Sequence, residues 1–143
     1  MDFSKASEIV RKADAIALTN YKNHSSYFHA CRVAEYVDAN PMIRGYDKDC
    51  CIALALLHDL FEDTNYDGEG LEDDMISALS VLTHPQHLDY VEYIQSIRNT
   101  QGETWREWAY WVKLADMKDH LMQRETLTER LKEKYWEAIP YLL

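Results

Sequence analysis

Four residues stand where their chemistry needs a reason: His29, His58, Asp59 and Asp116. His29 lies four residues before Val33 and so shares its helical face. His58-Asp59 ends the most hydrophobic run of the chain, Cys51-Ile52-Ala53-Leu54-Ala55-Leu56-Leu57. Asp116 lies four residues after Val112, on a stripe with Trp105, Trp108, Ala109 and Ala115. A carboxylate on a buried face is costly unless it is paired or binds a metal. Taken singly, each residue is explained as a hydrogen-bonded core group, with Asp116 paired to a buried Arg or His. Taken together they make a set of two imidazoles and two carboxylates from three helices, a donor set that suits Mn, Fe, Zn, Co or Ni ions. Glu62 follows His58 by four residues and Asp59 by three, so one further helical turn carries it to the same place, with Asp63 beside it. A carboxylate there can accept or relay the proton of an attacking water.

These groups have to be positioned by helices. Ile9, Val10, Ala13, Ile16 and Ala17 predict a helix over 4–20, and Val33, Tyr36 and Val37 one over 26–39 that stops near Asn40-Pro41. The apolar run predicts a central helix, capped by Asp47 or a neighbour. Residues 64–70 read as a loop, followed by helices over 72–82, 89–98 and 104–122, with a turn at 99–102. A last helix starts near Leu127 and is loosened at Pro140. With only four Gly and three Pro in 143 residues, the expectation is an all-α fold: one compact bundle of six to seven helices forming a single domain over 1–143.

The formal charge of -10 disfavours binding to duplex nucleic acid or anionic lipid. It also means that an enzyme acting on phosphates must reverse the field inside its pocket with a cation and local Lys or Arg groups. Cys31, Cys50 and Cys51 are expected as buried free thiols in a reducing compartment. No apolar stretch reaches the ~20 residues of a membrane span, and a cytoplasmic location is expected.

The ordered set, with its flanking residues, resembles the H…HD…D signature of the HD superfamily of metal-dependent phosphohydrolases. Leu57-His58-Asp59-Leu60-Phe61-Glu62-Asp63-Thr64 is similar to the HDxxEDT segment of the RelA/SpoT-type alarmone hydrolase branch. Lys113-Leu114-Ala115-Asp116 resembles its KLAD segment, and Tyr27-Phe28-His29 with Val33-Ala34 its PYxxHPxxVA stretch. The resemblance implies one divalent cation, Mn2+ before Fe, Zn, Co, Ni or Mg, held by His29, His58, Asp59 and Asp116. It places catalysis on Glu62 and Asp63. Departures from the pattern are Ala30 in place of the proline, His120 where the branch carries Asn, and Lys22-Asn23-His24 before the first histidine.

Lys22, His24, Lys113 and His120 are candidates for substrate binding, with Arg32 and Lys118 as further positive groups. His84 and His87 raise the question of a second metal. Trp111 and Tyr110 turn away from the apolar stripe, toward a pocket edge or a homo-oligomer interface. The expected function is hydrolysis of a nucleotide-like phosphate ester or pyrophosphate, an alarmone-type pyrophosphohydrolase first. The alternatives are a 5'-nucleotidase-like phosphatase of nucleoside monophosphates, a catalytically silent HD module that binds a nucleotide or a partner protein, and a helical adaptor with structural histidines.

Overall fold

The run Cys50–Leu57 decides the architecture, because a helix that is hydrophobic on every side has to be surrounded. The computed structural model describes residues 3, 5–99, 102–123 and 127–142. In it this run is the second half of α3 (Gly45–Leu57), and every residue from Cys50 to Leu57 is buried. Four helices pack around it: α1 (Glu8–Asn20), α2 (His24–Asp38), α5 (Asp73–Leu82) and α7 (Thr104–Met122). A single turn, α4 (Leu60–Asp63), follows α3, and α6 (Tyr90–Arg98) pairs with α8 (Glu129–Leu142) against α7. The expected all-α fold is present, with no strand among the described residues.

Local chemistry sets several helix ends. The Ser7 side chain accepts from the Val10 amide, so α1 starts at Glu8, later than the pattern alone predicts; residue 4 lies outside the described residues. Asn23 caps α2 by accepting from the Ser26 amide at 2.8 Å, and α2 begins two residues before the expected Ser26. Asp47 does not cap α3. It lies in the first turn and accepts from the Trp108 indole at 3.0 Å, tying α3 to α7. Pro140 leaves α8 intact through Leu142.

The buried helix ends at the His-Asp pair, as expected, and the turn that carries Glu62 is a separate helix. His58 Nδ1 bonds the Ala55 carbonyl at 2.6 Å, and the His58 amide donates to that same carbonyl. Asp59 then adopts φ -99° and ψ 0°, and the chain restarts as α4. The break frees the Asp59 amide, which donates to the Tyr21 hydroxyl at 3.3 Å. Cys31, Cys50 and Cys51 are free and buried. No helix among the described residues is long and apolar enough to cross a membrane.

Because Leu54 is fully buried at the centre of this packing, Leu54→Ala is expected to lower the unfolding free energy by about 2–5 kcal/mol in a denaturant titration.

Candidate metal centre

α2, the end of α3 and α7 bring the four predicted residues together. His29, His58, Asp59 and Asp116 each offer one ligand atom, and these atoms lie within 4.8 Å of one another. Asp116 Oδ1 is the focus: His29 Nε2 is 2.8 Å away and His58 Nε2 3.2 Å. Asp59 Oδ2 lies 3.2 Å from His58 Nε2 and 3.7 Å from His29 Nε2.

Each imidazole is oriented from behind. His58 Nδ1 meets the Ala55 carbonyl, and His29 Nδ1 meets Asp119 Oδ2 at 2.6 Å. An acceptor at each Nδ1 fixes the proton there and turns Nε2, the metal-ligating nitrogen, toward the two carboxylates. Histidine ligands in metal sites are characteristically held in this way. Asp119 is itself fixed by Arg32 Nε at 2.8 Å. Asp116 is held by its other oxygen, which accepts from Lys113 Nζ at 2.9 Å. The donor chemistry and its outer supports fit a divalent transition-metal ion.

Among the protein groups alone, the charges are strongly coupled. Burial favours neutral Asp116, but the Lys113 ammonium and the hydrogen bonds of His120, His29 and His58 hold its carboxyl well below the usual range. Burial opposes charge on His58, yet Asp59 and Asp116 raise its pKa well above the ordinary value. For His29 too, burial is outweighed by the hydrogen bonds to Asp116 and Asp119, and its pKa is raised.

A cavity of about 140 Å³ opens beside the four residues, and Glu62, Lys113 and His120 line it. Glu62 Oε1 accepts from the His84 amide at 2.6 Å, which anchors the carboxylate at the pocket wall. His120 Nε2 lies 3.2 Å from Asp116 Oδ1, and its ring stacks on Tyr135. Asp63 does not line this cavity. Burial and the neighbouring charges of Asp59 and Glu62 raise its pKa.

The other predicted residues lie elsewhere. Lys22 faces a separate polar cleft with Thr64, Asn65 and Asp67, because the α1–α2 connection runs along the loop after α4. His24, in the exposed first turn of α2, meets the ring of Phe28. Arg32 serves Asp119, and Lys118 covers the ring of Tyr36. Neither His84 nor His87 joins a metal-ligating group among the described residues; the His84 ring bonds the Leu88 carbonyl and stacks on Tyr93. Asp119 escaped the sequence reading although it sits three residues after Asp116 on the same buried face of α7. Tyr90, Tyr93, Lys134 and Tyr135, which complete the cavity wall, carried no local signal.

The chain matches no protein-family model and no curated protein. The resemblance to the HD superfamily therefore stands on the residues themselves and their convergence.

Two measurements follow from the supports of the site. Asp119→Ala should weaken Mn2+ affinity about 10–100-fold, read as the concentration dependence of the Mn2+-induced rise in Tm. For pH, the folded-state pKa values of His29 and His58 are raised. Their contribution to stability is complete below the unfolded value of about 6.5 and is lost as pH rises through the folded values. In chelator, Tm should therefore fall on the alkaline side. Mn2+, which needs deprotonated imidazoles, should offset that loss, so the gap between the two melting curves widens with pH.

Proposed function

We propose that the chain is a metal-dependent phosphohydrolase of the HD type, acting on a nucleotide-like phosphate ester or pyrophosphate. The observation that carries this reading is the convergence of His29, His58, Asp59 and Asp116 beside the carboxylate of Glu62. The all-helical fold and the His/Asp cluster are compatible with such a domain. When bound, a divalent cation supplies Lewis acidity, polarising a phosphoryl oxygen and making water nucleophilic near neutral pH; Mn2+ is the first choice.

The chain's own residues do the rest. His29, His58, Asp59 and Asp116 would hold the cation, and Lys113 orients Asp116 by engaging its second oxygen. The His84 amide fixes one oxygen of Glu62 and leaves the other to accept the proton of water attacking phosphorus. Lys113 and Lys134 set positive charge, and His120 a ring nitrogen, against phosphate oxygens in a protein of net charge -10. Asp63 lies outside the cavity, so the carboxylate set beside the reacting phosphate is that of Glu62.

Within this class an alarmone-type pyrophosphohydrolase rests on the HDxxEDT- and KLAD-like segments. A nucleoside monophosphate phosphatase is the second reading. It is favoured by His120, which takes the place of the branch's Asn and is engaged with Asp116 and Tyr135.

A screen of nucleotides with Mn2+ tests the proposal on wild type, Asp59→Ala and Glu62→Ala. Wild type should release pyrophosphate from a 3'-diphosphate, or orthophosphate from a monophosphate on the second reading. Glu62→Ala should reduce turnover about 10²–10⁴-fold while keeping the Mn2+-induced rise in Tm, and Asp59→Ala should lose both. Activity that survives loss of Asp59 would sink the mechanism. Mn2+ binding with no turnover of any nucleotide would identify a silent binding module instead.

A further inference from the structure

Two ammonium groups, those of Lys113 and Lys134, line the cavity together with its carboxylates. Lys134 Nζ, from α8, lies 4.3 Å from the centroid of the Tyr90 ring and 5.6 Å from that of Tyr135. Lys113 Nζ lies 5.6 Å from the centroid of the same Tyr90 ring. Two ammonium groups thus flank one phenol. Lys113 is committed to Asp116 at 2.9 Å. Lys134 has no ion-pair partner among the described residues, although the surface of this protein is rich in carboxylates. The Tyr90 hydroxyl is buried beside the Lys113 ammonium, which cannot accept its proton, and no acceptor for that proton is in reach among the described residues. A buried hydroxyl left unpaired is costly, and such groups are normally satisfied by protein, water or ligand. An ammonium without an ion pair and a hydroxyl whose proton has no acceptor therefore line one cavity with Glu62, Asp59 and Asp116.

We propose that Lys134 and Tyr90 form an anion subsite that holds a second negatively charged group of the substrate, away from the group undergoing hydrolysis. This rests on the phosphohydrolase reading only for the word substrate; the subsite itself is a property of the cavity wall. The ligand it selects is a phosphate ester that carries another phosphate or a carboxylate on the leaving-group side. Lys134 supplies the charge, and Tyr90 donates its hydroxyl proton in a hydrogen bond. An ester with a neutral leaving group leaves both unsatisfied and binds less well.

Calorimetric titration of the full chain with orthophosphate and, separately, succinate tests this, each in chelator and with Mn2+. The variants are Lys134→Met, which keeps the apolar stem, and Tyr90→Phe. Wild type should bind at least one of the two anions in chelator, and the stronger ligand tells which second group the subsite prefers. Each variant should bind that anion about tenfold or more weakly, the expected loss of one charge-assisted hydrogen bond. Tyr90→Phe should melt at or above the wild-type temperature, because it removes a buried hydroxyl whose proton has no acceptor; a merely structural tyrosine would lower it. The subsite is refuted if wild type binds neither anion under either condition, or if both variants bind like wild type. Asp59→Ala separates the two claims: Lys134-dependent binding that persists in it, without turnover by wild type, leaves the subsite standing and removes the hydrolase. Turnover by wild type with variant-independent anion binding does the reverse.

Discussion

The carboxylate of Asp116 is the constraint on which the rest depends. It is buried on α7 and cannot stay ionised unless positive or hydrogen-bonding groups surround it. Lys113, His29, His58 and His120 all reach it. Those four come from α2, the end of α3 and α7 itself, so satisfying one charge requires three helices to meet at one point. Removal of a single partner from such a cluster leaves an uncompensated charge in the interior, a far larger loss than that of a surface pair.

The apolar helix α3 and the polar cluster depend on each other. Burial of Cys50–Leu57 on all sides brings α1, α2, α5 and α7 around one axis. The helix ends where the apolar residues end, and its last carbonyls become available to a side chain. His58 takes the Ala55 carbonyl, which breaks the helix and fixes the ring. The hydroxyl of Tyr21 takes the amide that the break leaves over. Hydrophobic burial thus places the dyad, and a few directional bonds aim it.

Much of this was legible in the residues. The bounds 104–122 of α7 follow from its aromatic and aliphatic spacing, and the four convergent residues follow from polar groups on apolar faces. The end of the buried helix at His58-Asp59 was legible in the same way, whereas the side-chain bond from His58 to the Ala55 carbonyl, which sets the geometry of that end, was not. The early start of α2 was hidden because Ser26 and Asn23 are both good caps, and only the bond made by Asn23 distinguishes them. Lys22 looked near the site along the chain, but the path of the connection puts it in another cleft. Lys134 and Tyr135 reach the cavity through the docking of α8 on α6, a long-range contact that no window of sequence records.

The separation of the partners along the chain has a consequence for biogenesis. Asp116 meets His29 across 87 residues and His58 across 58. During synthesis α1, α2 and α3 emerge first, with the two histidines on faces that have no carboxylate from α7 to meet. Helices form locally and early, whereas contacts between distant segments wait for the later one. The first three helices can associate through their apolar faces, but the polar cluster stays incomplete until α7 arrives. Its assembly is therefore a late step, and a nascent chain halted before α7 would carry its first helices with one side of α3 still uncovered and the site unformed.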